Sequence, residues 1–249
     1  MDLSRPAAGD STPQMVSRSH RDKSGGGFLP DAVVQQWTEN PCGSQYSDAE
    51  PGSLRWAQET DNFRFQEYAP WLPAWADFTS AKGQDVLEVG CGIGFDTARF
   101  AASGATVTAI DVTPRSLQLT NQRLAMQGLH ATLIETDAHA LPFPTASFDR
   151  AYSFGVLHHL KNPQRGIAEM VRVLRPGGRL QFAVYHRRSG YYGAFLWLYH
   201  GVLRGRLREM DMDRILSLMV EKGGDSPDLI VRAYTKAEVR RMADGLADV

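Results

Sequence analysis

Residues 85–94 read Asp85-Val86-Leu87-Glu88-Val89-Gly90-Cys91-Gly92-Ile93-Gly94. A short apolar run bounded by turn residues predicts a buried strand. Three alternate glycines follow it directly, and a helical pattern begins at residue 96. Glycines there let the chain turn tightly and bring its backbone close to a ligand. The first amides of the helix suit a negatively charged group such as a carboxylate. About 20 residues further on, a second apolar run ends at Asp111, where a carboxylate accepts both hydroxyls of a ribose. Together these features predict a nucleoside site at the carboxyl edge of a sheet.

Working outward, strand patterns recur at 86–89, 106–110, 131–135, 150–154 and 179–184, and helical patterns at 96–102, 114–127 and 163–174. The alternation implies βαβ units and a mainly parallel sheet. Thr113 caps the helix opened by Pro114, and Gly128 stops it. Before this core, residues 1–29 are rich in Ser, Gly, Pro and charge, with Gly25-Gly26-Gly27 closing the stretch, and read as a disordered tail. Residues 30–80 are aromatic and broken by Pro70 and Pro73, which predicts a cap of short helices. The core spans 81–186. Residues 187–249 read as a helical lid: 191–203 is aromatic and apolar, 204–220 alternates charge with Leu, Ile and Met, and Thr235-Lys236-Ala237-Glu238 has the spacing of a capping box.

The chain has 249 residues, enough for one substantial core. Its 27 basic and 28 acidic residues give a net charge of −1. No bulk electrostatic case exists for nucleic acid or an anionic membrane, and a neutral small partner is the expectation. Cys42 and Cys91 are far apart in sequence and suggest neither a disulfide framework nor a metal site. No run approaches the roughly 20 apolar residues that span a bilayer, and no signal-peptide pattern opens the chain, so a cytoplasmic location is expected.

A glycine loop alone leaves nicotinamide and flavin binding open. A dinucleotide pattern starting at Gly90 needs glycine at 95, where Phe95 stands; starting at Gly92 it needs glycine at 97, where Thr97 stands. The run from Glu88 through Gly94 instead resembles the first motif of the class I S-adenosylmethionine-dependent methyltransferases. Four further stretches follow in that family's order: Thr136-Asp137-Ala138; Leu141-Pro142-Phe143 leading to Ser147-Phe148-Asp149; Ser153-Phe154-Gly155-Val156-Leu157-His158-His159; and Val173-Leu174-Arg175-Pro176-Gly177-Gly178. The likeness runs from Asp85 to Tyr185 and is similar to the quinone and natural-product branch.

The resemblance implies an α/β, Rossmann-like three-layer sandwich with a mainly parallel sheet, an N-terminal helical cap and a C-terminal helical extension. It implies S-adenosylmethionine as cofactor, S-adenosylhomocysteine as product, and in-line methyl transfer to a small-molecule acceptor without a metal. Glu88, Gly90, Cys91 and Gly92 would line the methionine end, Asp111 and Val112 the ribose, and Asp137 and Ala138 the adenine, with Ser153 and Phe154 under the cofactor. Gly94 is divided between ligand approach and helix packing, and Asp149 reads as structural. From the cap, Arg64 and Tyr68 could reach the cofactor carboxylate.

His158 and His159 are candidates for a base that takes the acceptor's proton, with His159 favoured. Being adjacent at a helix start they would point about 100° apart, so at most one is expected to face the pocket. Tyr185 and His186 form a second pair on the same rim. The aromatic stretch 191–199 reads as core or lid, or more sharply as an acceptor channel, and the arginines at 204, 206 and 208 as a solvated face.

Nucleic-acid substrates are disfavoured: Ser153-Phe154-Gly155-Val156 is not the Asp/Asn-Pro-Pro-aromatic run of base-amine methylases, neither cysteine fits a Pro-Cys nucleophile, and no basic stripe is present. The competing readings are an oxidoreductase using a nicotinamide cofactor, and a cofactor-binding fold that performs other chemistry or none. The family's closing hairpin of two strands is expected to be incomplete, since only residues 245–249 remain to begin it. The resulting open edge predicts a dimer.

Overall fold

The computed structural model describes residues 15–17, 31–220 and 231–244. Eight strands and eight α-helices are assigned among them: β1 (Met15–Ser17), α1 (Asp31–Glu39), α2 (Leu54–Asn62), α3 (Leu72–Ala76), β2 (Asp85–Val89), α4 (Phe95–Ala102), β3 (Thr106–Asp111), α5 (Pro114–Met126), β4 (Thr132–Glu135), β5 (Phe148–Phe154), α6 (Pro163–Val173), β6 (Leu174–Ala183), β7 (Tyr185–His186), α7 (Met212–Val220), β8 (Ala233–Tyr234) and α8 (Lys236–Ala243).

Six strands form one sheet in the order β1-β4-β3-β2-β5-β6, every pair parallel. From β2 the chain steps outward to β3 and β4, then returns across β2 to place β5 and β6 on the other side. That reversal leaves a crevice beyond the carboxyl end of β2, where ligands of open α/β sheets bind. Successive side chains of a strand face opposite sides. Val86, Val107, Ala109 and Tyr152 enter one buried cluster with α4, α5 and the cap, while Leu87, Val89, Ile110 and Ala151 enter another with α6 and α7. The result is the expected α/β three-layer arrangement, helices on both faces of a parallel sheet.

Local chemistry sets the element ends as read from the sequence. Thr113 accepts the Ser116 amide at the start of α5, and Gly128, at φ 64°, closes that helix with Leu129 N–H donating to Leu124 O. Thr235 and Glu238 form a reciprocal capping box. Asp149 is structural: its Oδ2 accepts the Asp85 amide at 2.8 Å and its Oδ1 pairs with Arg175 at 2.7 Å.

Two expectations require correction. Met15–Ser17, placed in the tail, pairs with β4 instead, because the open edge of β4 offers unpaired amides and carbonyls; the glycine run at 25–27 lies outside the described residues. The C-terminal part is not wholly helical, since Ala233–Tyr234 pairs in parallel with Tyr185–His186 as a separate two-stranded sheet. Residues 245–249 lie outside the described residues.

The cap is bolted to the core by buried guanidinium groups. Arg123 of α5 donates to Ala57 O and Thr60 Oγ1, pairs with Asp61, and with Nε holds Ile93 O of the glycine loop at 2.8 Å. Arg150 of β5 donates to Ala76 O, Asp77 O and Ser80 Oγ. Trp56, fully buried beneath Arg123, removes roughly 200 Å² from water, on the order of 5 kcal/mol before chain entropy. Burial depresses the Arg123 pKa and the nearby Asp61 partly restores it. Replacing Arg123 with Met should therefore lower stability on the order of 3 kcal/mol in urea unfolding, because three acceptors and the Asp61 carboxylate lose their donor. A loss below about 1 kcal/mol would show that the clamp is dispensable.

Candidate functional site

Between β2 and α4 the chain turns through Gly90, Gly92 and Gly94 at φ 77°, 55° and 82°. Positive φ strains any residue with a Cβ, which is why glycine recurs here. Each has a different second reason. A Cβ on Gly90 would lie 2.3 Å from Val156 Cγ2, and one on Gly94 would lie 2.9 Å from the Thr120 side chain and 3.0 Å from its Cα. A Cβ on Gly92 would meet nothing within 4 Å. Gly94 thus serves the packing of α4 on α5, whereas Gly92 faces open space at the cavity wall.

The loop is fixed by its neighbours. Ile110 O at the end of β3 accepts the amides of Gly90 (2.8 Å) and Cys91 (3.0 Å), and Asp111 Oδ2 accepts that of Gly92 (3.0 Å). Asp111 Oδ1 accepts the amide and hydroxyl of Thr113. Burial raises the Asp111 pKa, against these hydrogen bonds that lower it. Thr120 donates to Gly92 O at 2.9 Å.

Beneath the loop lies a buried polar group. Glu88, only 3% exposed, accepts from Thr97 Oγ1, and burial together with the neighbouring Asp96 pushes its pKa well above the usual carboxylate range. Asp96 Oδ2 accepts from Tyr152 OH at 2.8 Å and Arg64 Nη2 at 3.1 Å. Arg64 reaches in from the cap, its guanidinium over the rings of Phe95 and Phe154.

All of this opens on one cavity of about 370 Å³, a size that suits a small molecule. Glu88, Gly90, Cys91, Gly92, Asp111, Val112, Ala138, Phe154, Arg64, Tyr68, His158 and His159 all line it. Two expected residues do not. Asp137 turns its Oδ1 to the amide and ring of His139, at 2.8 and 2.6 Å, leaving Thr136 and Ala138 on the wall. Ser153 is buried behind the wall, donating to Val89 O.

The histidine geometry is also corrected. His158 and His159 both line the cavity, because Leu157–His159 is a single 3-10 turn and not the start of an α-helix. Their ring centroids are 4.1 Å apart, with Tyr185 against His158 and Trp37 against His159. His186 is exposed and away from the cavity. Residues 191–203 do not line it either, and most of their large side chains are exposed, so this stretch is not core.

Residues 87–182 match the family described as "Methyltransferase domain". The chain is 36% identical over 129 residues to the demethylmenaquinone methyltransferase of Tropheryma whipplei, covering 51% of this chain and 53% of that one. It is 33% identical over 153 residues to the 27-O-demethylrifamycin SV methyltransferase of Amycolatopsis mediterranei, covering 60% and 53%. Residues 87–182 are therefore similar to methyltransferase domains, over less than half of the chain. The chain spans about half the length of these curated relatives. Among solved structures, a SAM-dependent methyltransferase of Methanosarcina mazei superposes with TM-score 0.52 at 22% identity, over 70% of this chain and 83% of that one, and shows the shared fold.

The match to a methyltransferase domain implies S-adenosylmethionine as cofactor, and the residues present fit it. Among the described residues, Arg64 Nε and Asp96 Oδ1 are buried without a hydrogen-bond partner, both on residues lining the cavity. An amino-acid end carrying a carboxylate and an ammonium supplies both missing partners. Asp96 was missed by the sequence reading, as were the cap residues Trp37, Gly43, Tyr46 and Trp71 that complete the wall. The signal available for Asp96 was an acid in the first turn of the helix after the glycine loop.

The glycines separate fold from ligand. Gly94→Ala should lower the unfolding free energy by more than about 2 kcal/mol through overpacking at Thr120. Gly92→Ala should cost only about 1 kcal/mol of backbone strain yet abolish S-adenosylhomocysteine binding in calorimetry. Equal losses of stability in the two variants would contradict this division.

Proposed function

We propose that the chain is a methyltransferase that uses S-adenosylmethionine to methylate a small, planar or apolar acceptor. The observation that carries this reading is that one cavity joins the glycine loop and Asp111 on one side to the histidine pair, Tyr185 and an aromatic wall of Trp37, Tyr46, Tyr68 and Trp71 on the other. When bound, the cofactor supplies a methyl group on a sulfonium that departs as a neutral thioether, so the chain's own task is to align the acceptor and exclude water. Glu88, Arg64 and Asp96 would hold the amino-acid end, Asp111 the ribose hydroxyls, and Val112, Thr136 and Ala138 the adenine.

On the acceptor side, an imidazole of the pair takes the proton of an acceptor hydroxyl, with His159 favoured and Trp37 fixing its ring. The aromatic wall selects acceptors by area and shape. The relatives named for demethylmenaquinone and demethylrifamycin support an acceptor of this kind.

Formation of S-adenosylhomocysteine from a panel of hydroxylated quinols and polyketides, demethylmenaquinone among them, tests the reading; binding of the cofactor without turnover on any acceptor would leave a non-transferring role in its place. With a turned-over acceptor, His159→Gln should lower kcat roughly a hundredfold while calorimetry shows cofactor affinity unchanged. Full turnover in both His158→Gln and His159→Gln would remove the base from the mechanism.

Glu88 gives a pH signature. Burial and Asp96 raise its pKa, and a cationic ammonium beside it favours the carboxylate. Binding must then release a proton wherever Glu88 is protonated beforehand, so affinity for S-adenosylhomocysteine falls as pH drops below that raised value. Calorimetry in buffers of different ionisation enthalpy should record the proton release, and Glu88→Gln, which preserves an acceptor for Thr97, should remove it.

A further inference from the structure

The stretch Tyr191–Leu203 is a 13-residue π-helix with an apolar or aromatic side chain at nearly every position, yet only Leu196 and Gly201 are buried. Leu203 is 69% exposed, Tyr191 52% and Trp197 49%, and Phe195, Leu198, Tyr199 and Val202 are exposed with them. A helix apolar on all sides ordinarily lies inside a core or a bilayer, and exposed patches of this kind mark interaction sites. Thirteen residues are too few to cross the hydrocarbon of a membrane, which takes about 20. No helix among the described residues is long and apolar enough to do so.

The flanks are rich in arginine, of which Arg187 is paired with Glu238 at 3.0 Å. Arg187 and Arg188 precede the helix, Arg204, Arg206 and Arg208 follow it, and no Asp or Glu occurs between residues 187 and 208. Arg188, Arg204 and Arg208 are exposed. Trp, Tyr and Phe on an exposed helix with arginines at both ends is the composition that seats a helix at the boundary between headgroups and acyl chains. The same charge disfavours a second copy as occupant, because an isologous contact would bring two arginine groups together. Leu196 and Tyr192 anchor the helix to the cluster that holds α6 and α7. The helix also begins six residues after Tyr185, which lines the cavity, so it departs from the same edge of the sheet.

We propose that Tyr191–Leu203 is a membrane-surface helix that docks the protein on bilayers containing anionic phospholipid, its aromatic side chains in the interface and its flanking arginines on the phosphates. The proposal is independent of methyl transfer, since docking is read without cofactor or acceptor.

Cosedimentation of the full chain with vesicles of phosphatidylglycerol and phosphatidylcholine, against vesicles of phosphatidylcholine alone, tests it. The expected result is binding to the mixed vesicles that weakens with added salt. Arg204→Gln and Arg208→Gln should each weaken it about fivefold, and Leu203→Glu or Trp197→Glu at least tenfold by placing a charge among the acyl chains, roughly in line with insertion costs. Leu203 is so exposed that its substitution leaves the fold intact, which thermal unfolding verifies; if Trp197→Glu unfolds, Leu203→Glu still decides. Absence of cosedimentation by the wild-type chain overturns the proposal, as does equal vesicle binding by Leu203→Glu. Light scattering in which Leu203→Glu dissociates an oligomer, in a chain that ignores vesicles, would assign the helix to self-association and overturn it as well.

Discussion

The turn between β2 and α4 holds three glycines at positive φ within five residues, and the site exists only while that turn is held. Nothing inside the turn is sufficient to hold it. Ile110 O takes two of its amides and Asp111 a third, while Thr120 and Arg123 donate to its carbonyls at Gly92 and Ile93. These groups come from β3 and α5, the elements that pack directly beside the loop. The sheet order therefore does more than place strands: it delivers four partners to a backbone that glycine alone would leave loose. A loop ordered before ligand arrives loses little entropy on binding.

Much of this was legible in the sequence, and the legible part is local. Strand and helix periodicity, the Thr113 and Thr235 caps, the Gly128 stop and the glycine loop each depend on residues a few positions apart. What could not be read depends on partners far along the chain. Asp96 acquires its role from Arg64, 32 residues earlier, and Tyr152, 56 later. Asp137 looked outward to a ligand but is drawn to His139, two residues on, by a turn geometry that the motif does not encode. His158 and His159 were expected to diverge as on an α-helix, and a 3-10 turn brings both to the wall. The aromatic run reads as core or lid because apolar residues usually find cover; hydrophobicity states a need, and only the fold states whether it is met. A net charge of −1 likewise averages away five arginines with no acid among them.

The cap and the sheet divide the cavity between them. The sheet edge supplies Glu88, the glycine loop and Asp111, whose spacing is dictated by parallel strand register. The cap supplies Trp37, Tyr46, Tyr68 and Trp71, the last two flanked by the helices α2 and α3 that Arg123 and Arg150 clamp from the core. Because core donors use cap carbonyls as acceptors, the aromatic wall is referenced to the sheet and not merely laid over it. Changes of cap sequence can then alter the acceptor side while leaving the loop and its partners untouched.

The all-parallel strand order also governs how the molecule comes together in time. The Asp85 amide meets the Asp149 carboxylate 64 residues away, Arg123 meets Ala57 across 66, and Arg150 meets Ala76 across 74. None of these contacts can be reached by a hairpin, and loop closure must be met before any of them stabilises the chain. A ribosome that has released the chain only as far as β4 presents a sheet fragment in which β2 is an edge strand with one side bare. The cavity is consequently among the last features to form, and the waiting edge of β2 is the segment most in need of shielding from other chains during synthesis.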